Sequence, residues 1–197
     1  MKIFICHPSE YDELVKKIEK VLKKYQIEYF ADHNHVRQGI SVNNKIDQGM
    51  HDATHFFLVW CENAGNSPYV IEELETVRSP GYRDVVKLIP FILDTTPLPV
   101  GFASRYQNKI DASNVEDVTR NVIKDILEVD VDMVDEFDDY LDEVNTEIEI
   151  DNVFYPFSQV LKSVDKTKYN IRFHQWVEDN LDSRQAFDEN NFSEDFG

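Results

Sequence analysis

The run HFFLVWC at positions 55–61 leaves few folds open to this chain. Six apolar residues follow one histidine, far short of the eighteen or so that a membrane span needs, and no other apolar run is longer. A short run of this kind fits a strand buried on both faces of a sheet. Its neighbours obey the same logic. KIFIC (2–6) and IEYF (27–30) read as strands, with a helix over 11–24 between them that turns Leu14, Ile18, Val21 and Leu22 inward. A loop through Gly39 leads to a helix carrying Val42, Ile46 and Met50. After HFFLVWC come a helix opened by Ser67, the strand VVKLIPFI (85–92), the short strand QNKID (107–111), and a helix with Val115, Val118, Val122 and Ile126. Alternation of apolar strands with amphipathic helices predicts an α/β fold, a mostly parallel sheet covered on both faces. Ligands of such sheets bind at the carboxyl ends of the strands, near a switch in strand order.

Charge divides the chain. Residues 1–110 hold 14 acids and 13 bases, whereas residues 111–197 hold 24 acids and 7 bases. Between Asp125 and Asp151 there are 13 acids and neither Lys nor Arg. This balance argues against nucleic acid and anionic membrane as partners. The expected division is an α/β domain over 1–128, an acidic helical extension over 129–187 and a flexible tail over 188–197. Within the extension, Val134, Phe137, Leu141, Val144 and Ile148 recur at alternating spacings of three and four, a narrow helical seam. Either the extension folds back on this seam, with Phe154, Phe157, Trp176 and Leu181 as its lid, or a second copy or a basic partner covers it. Pro156 is placed to open a short helix, and Ile171, His174, Trp176, Val177 and Leu181 suggest another. Met1 leads directly into KIFIC, so no secretory leader is expected. Two cysteines, Cys6 and Cys61, do not make a disulfide scaffold, and a reducing cytoplasm is the expected setting.

Candidate chemistry concentrates in SPYVIEEL (67–74). Ser67 is a suitable N-cap and Pro68 suits the first helical position. Val70, Leu74 and Val77 then define an apolar stripe. At 100° per residue, Glu72 and Glu75 point away from it, as solvated acids do. Glu73 lies about 60° from the stripe's centre, on a flank shared with Tyr69 four residues earlier. It is the one acid bordering the core.

Other chemistries find less support. No two of the six glycines lie two apart and no GK[ST] occurs, which argues against dinucleotide-fingerprint oxidoreductases and P-loop NTPases. HDATH (51–55) has a two-histidine spacing but straddles a helix end and a strand start, and His33 and His35 read as solvated loop residues, so no metal is expected. DVDMVDEFDDYLDE lacks the glycine of a calcium loop and has helical apolar spacing. Ser9 and Ser67 have no histidine at a telling position.

FICHPSEYD (4–12), YFADHNHVRQG (29–39), VNNKIDQGM (42–50), HFFLVWC and SPYVIEEL, in this order over about 110 residues, resemble the motifs of a Toll/interleukin-1 receptor (TIR) domain. The first resembles the family's Phe-Ile-Ser-His/Tyr box. The second keeps Asp32, with Gly39 seven residues later and Phe30 two before. The last is similar to the family's Ser-x-Trp-Cys-x-x-Glu-Leu box. The resemblance implies a flavodoxin-like, five-stranded parallel sheet followed here by the acidic α-helical extension.

Many bacterial and plant members, and an animal axonal protein, cleave NAD⁺ at its nicotinamide bond. For this chain the resemblance implies Glu73 as catalytic glutamate, with substrate contacts at Phe30, His7, Pro8 and Tyr69 and in the loop bearing Asp32 and Gly39. NAD⁺ would be substrate rather than cofactor, and no metal is implied. A prokaryotic antiviral role, self-association of TIR domains, and a separate effector or sensor protein are implied in the same way. Tyr69 replaces the usual Trp, Val70 the usual Cys, and Val42 stands where several cyclising members carry an aromatic. The other reading is a non-catalytic adaptor that acts by homotypic assembly.

Overall fold

The computed structural model describes residues 1–31, 50–82, 84–99 and 107–191, the last eleven of them by backbone alone. The chain divides into two compact units, Met1–Glu128 and Val129–Gly197.

In the first unit the strands are β1 (Lys2–Cys6), β2 (Glu28–Ala31), β3 (His55–Trp60), β4 (Lys87–Ile92) and β5 (Asn108–Lys109). They form one sheet in the order β2-β1-β3-β4-β5, every pair parallel. The helices are α1 (Asp12–Lys24, after a 3-10 turn at Ser9–Tyr11), α2 (Glu62–Asn66), α3 (Pro68–Arg78) and α4 (Val115–Asp125). β3 is buried along its whole length, as its apolar run requires. Side chains alternate between faces. Phe4, Cys6, Phe56, Leu58 and Trp60 therefore share one face, and they pack with Val70, Leu74 and Val77 of α3. Ile3, Ile5, Phe57 and Val59 point the other way, the side covered by α1 and α4, which are tied by a hydrogen bond from Arg120 Nε to the Tyr25 hydroxyl (3.2 Å).

Details differ from the sequence reading for local reasons. On α1 the stripe is Val15, Ile18, Val21 and Leu22, and Leu14 is only half-buried. Val85 is 69% exposed, so the fourth strand starts at Lys87. Pro90 sits in mid-strand opposite Leu58 without breaking the ladder. β5 pairs only with Phe91 and Ile92, and the Asn108 side chain donates to the Pro90 carbonyl instead. Pro90 thus lies one residue before the described pairing with the edge strand β5 begins, and its missing N–H costs the described ladder no hydrogen bond. Met50 is helical and fully buried, while Val42 and Ile46 lie outside the described residues.

The second unit holds α5 (Val131–Val144), β6 (Ile148–Ile150), β7 (Val153–Tyr155), α6 (Phe157–Val164) and α7 (Lys166–Asn191). The expected seam stops early. α5 ends at Val144 with Asn145 extended, and Ile148 opens an antiparallel hairpin with β7. Asp151 and Asn152, both at positive φ (53° and 63°), make the two-residue turn, a conformation Asp and Asn tolerate. Phe137, Leu141 and Tyr169 form the buried cluster, with Phe157, Leu161, Phe173 and Trp176 against it. Phe154, expected in the lid, is 61% exposed, because the hairpin turns it outward beside Glu149. The Leu181 side chain lies outside the described residues. Asp138 joins this core by accepting from the Tyr169 hydroxyl (2.8 Å) and from Lys162. Among the described residues no helix is long and apolar enough to cross a membrane.

Candidate active site

Strand order fixes where a ligand can enter. From β1 the chain passes to β2 on one side and β3 takes the other, so the order reverses between β1 and β3. The crevice at this switch point is bounded by Cys6-His7-Pro8 after β1, Ala31 ending β2, and Trp60-Cys61 after β3.

α3 brings a carboxylate to that crevice. Ser67 caps the helix, its Oγ accepting from the Val70 N–H (3.5 Å), and Pro68 takes the first turn. Val70, Glu73, Leu74 and Val77 are its buried residues. Glu73 is only 4% exposed, a full member of the buried arc rather than a flanking residue. Tyr69, one turn earlier on the same helix, is 49% exposed. With Glu73 included, the buried arc spans about 100° and is centred between Val77 and Val70. Glu72 and Glu75 are exposed, as their phase required.

Burial raises the Glu73 pKa from 4.5 to about 7; a hydrogen bond with the Cys6 side chain works against that rise, and Glu72 adds to it. Near neutrality Glu73 is therefore divided between charged and neutral forms. The Cys6 thiol is pushed well up, by its own complete burial first and by Glu73 second, and stays protonated. This pairing places the Glu73 carboxyl over the end of β1. Among the described residues Glu73 is the one buried carboxylate of the first unit.

Phe30 stands on the same sheet face. Its ring stacks on Phe4 with centroids 5.4 Å apart, and Phe4 stacks in turn on Phe56. Phe30 is half-buried, one side committed to Phe4. Glu73, Cys6 and Phe30 thus lie on the α3 face of the sheet. The first loop is turned inward instead. His7 has a side chain 2% exposed, with Nε2 3.0 Å from Asp12 Oδ1, and Pro8 is buried. What this loop offers a ligand is backbone. Asp32 and Gly39 lie outside the described residues.

Two groups escaped the sequence reading. Cys6 carried no signal beyond its place in FICHPS, and Tyr11, between Glu10 and Asp12, carried none. The Tyr11 hydroxyl is held by a hydrogen bond with Cys61, which with burial raises its pKa. Both cysteines are free and buried, and each is engaged by a different partner. In HDATH, His51 is exposed beside Asp52, whereas His55 is buried in β3 with Nδ1 2.9 Å from Thr54 Oγ1. No three His, Cys, Asp or Glu among the described residues are grouped to hold a metal ion.

A lone carboxylate of this kind can stabilise a developing cation or accept from a hydroxyl in a water-poor site. Among the described residues no second buried carboxylate of the first unit is present to pair with it as acid and base.

Residues 3–126 match the family model described as TIR domain. Among solved structures, the chain is similar to the TIR domain of the Toll-related receptor TRR-2 from the lower metazoan Hydra magnipapillata. Identity is 16%, 64% of this chain and 97% of that chain are covered, and the TM-score is 0.51, a likeness of fold. It is also similar to the TIR domains of the activated Roq1 resistosome directly recognizing the pathogen effector XopQ, at 16% identity over 90% of this chain and 98% of that one, with a TM-score of 0.41. Comparison with curated proteins gives no match.

Proposed function

This chain belongs to the TIR domain family, and from that premise we propose that its first unit is an NAD⁺ glycohydrolase with Glu73 as the catalytic residue. The observation that carries the reading is a single carboxylate, 4% exposed, at the β1–β3 switch point with its pKa lifted to about 7. In the reaction the bond between C1′ of the ribose and the nicotinamide nitrogen breaks, and its electron pair leaves with the ring. Nicotinamide departs neutral, so no general acid is required. Positive charge collects on the ribose as an oxocarbenium-like centre, which ionised Glu73 stabilises directly or through a ribose hydroxyl. Water then attacks C1′, and a carboxylate with a pKa near the working pH is suited to take its proton. Phe30 would stack on the nicotinamide end. A prokaryotic antiviral role, by NAD⁺ depletion or through an ADP-ribose-type signal, is part of the same proposal and rests on the family alone.

The adaptor reading has one observation in its favour: the His7 and Pro8 side chains are turned inward, so two of the expected side-chain contacts are not presented to a ligand. Nicotinamide release from NAD⁺ by purified protein decides between the two. It is measured chromatographically at high protein concentration, because self-association of TIR domains can be needed for turnover. Release that disappears in Glu73→Gln is expected. A folded wild type that releases none at any concentration would leave the adaptor.

A further inference from the structure

A groove of about 280 Å³ opens between α5 and α7 in the second unit. Phe137 and Leu141, both essentially buried, form its base, and Tyr140, Val144 and Trp176 line its sides. The four α5 residues fall at i, i+3, i+4 and i+7, one continuous helical stripe. Phe137 and Leu141 are covered by the cluster around Tyr169 and Phe173, but the outer side of the stripe is not: Tyr140 is 43% and Val144 56% exposed. The volume lies just below the range of small-molecule sites, about 300–1,000 Å³, and suits one large anchoring side chain better than a cofactor.

The charge around the groove narrows the choice of occupant. α5 carries seven acids and no base. Exposed Asp139 and Glu143 stand beside Tyr140 and Val144, and Asp179 lies on the opposite rim. Arg172, the one cation in the lining, has its guanidinium over the Phe157 ring at 5.8 Å. Nucleic acid and anionic bilayers have the wrong sign. A second copy brings the same excess, 24 acids against 7 bases over residues 111–197, and is repelled.

We propose that this groove seats an amphipathic helix of another protein, basic along its flanks and carrying a large apolar side chain as its anchor. Helix-in-groove docking uses this division of labour: apolar anchors hold the complex, while rim charges steer encounter and set salt dependence. The proposal is independent of NAD⁺ cleavage, since it concerns the second unit only.

The test uses the full chain and three labelled peptides of about 18 residues, five helical turns each. One is an amphipathic Leu/Lys helix, the second replaces its Leu by Ser at the same charge, and the third replaces its Lys by Glu. Anisotropy of the label and Trp176 emission are read, with Trp60, 2% exposed in the first unit, as a silent background. The Leu/Lys peptide should bind saturably at one per chain, weaken with salt and shift Trp176 emission, while the Glu version should not bind. Val144→Asp adds negative charge but blocks the anchor, so it should weaken the Leu/Lys peptide about tenfold or more. Being an exposed position, it should leave circular dichroism unchanged. Equal binding of the Ser peptide, no binding of the Leu/Lys peptide, or an indifferent Val144→Asp would overturn the proposal. So would wild-type dimers in light scattering that this substitution abolishes, which would make a second copy the occupant.

Discussion

Replacing Glu73 by Gln should stabilise the first unit, and only above mid-acid pH. In the folded chain the Glu73 pKa is raised from 4.5 to about 7, chiefly by burial, and at 4% exposure solvent screening does little to soften the effect. A raised folded-state pKa means that folding favours the protonated form. Below pH 4.5 Glu73 is neutral in both states and imposes no ionisation cost. Between pH 4.5 and about 7 the unfolded chain ionises it freely while the folded chain resists, and stability falls. Above that window the penalty is constant. At ~1.4 kcal/mol per pKa unit it amounts to about 3 kcal/mol, a large part of a domain's usual 5–15.

Gln has nearly the same shape and no ionisation, so the difference between variant and wild type isolates this term and cancels every other titrating group. Urea unfolding followed by Trp60 emission, in a Trp176→Phe background so that only the first unit reports, would be run from pH 4.5 to 8.5. The Gln variant should gain on the wild type by about 3 kcal/mol between the ends of that range, with the midpoint of the gain between 5 and 7. Two stability curves that run parallel across the range would refute the argument, since they would mean that Glu73 is ionised and solvated in the folded state.

The catalytic reading makes the complementary claim that the rate needs the ionised form: kcat/KM for NAD⁺ should rise with pH through about 7 and then level, a profile a flat response would contradict. Glu72→Gln, at an exposed position one residue away, should leave turnover near wild type, whereas Glu73→Gln should abolish it; equal losses would place the carboxylate elsewhere. Cys6→Ala removes the hydrogen bond that opposes the rise in the Glu73 pKa, so the midpoint of the pH–rate profile should move up and Cys6→Ser should restore it; an unmoved midpoint in both would reduce Cys6 to packing. Phe30→Ala should raise KM by roughly tenfold, the loss of ~1–1.5 kcal/mol of stacking, and unchanged saturation and turnover would remove Phe30 from the site. In the second unit, Lys162→Met strands Asp138, 9% exposed, beside the Tyr169 hydroxyl and should cost about 3–5 kcal/mol of that unit's stability by Trp176 emission, with Asp138→Asn milder.

How much of this could be read in the residues depended on whether a position obeyed the hydrophobic pattern. β1 and β3 did: KIFIC and HFFLVWC are continuous apolar runs, both are buried, and their alternation with amphipathic helices left a parallel sheet as the economical fold. The hairpin did not, because Ile148 happens to continue the 3–4 spacing of α5. Its real signal was local, Asp151-Asn152 between the β-prone triplets IEI and VFY, and a seam two heptads long outweighed it. His7 shows another kind of blindness. That it turns inward depends on Asp12 being within reach once the chain bends through Pro8, and no periodicity encodes that bend.

Glu73 is the most instructive case. Its phase could be computed, but an apolar stripe is defined by the apolar residues in it, so a carboxylate inside the buried arc reads as a border residue by construction. Only the folded helix, packed on the sheet, reveals that the arc takes in four positions, Val70, Glu73, Leu74 and Val77. An apolar residue there would satisfy every local rule and relieve a cost of several kcal/mol. The same burial that makes the carboxylate expensive holds it near its titration midpoint and removes the water that would otherwise screen its field. At such a site the cost and the chemical usefulness have one cause, and a substitution that removes either should remove both.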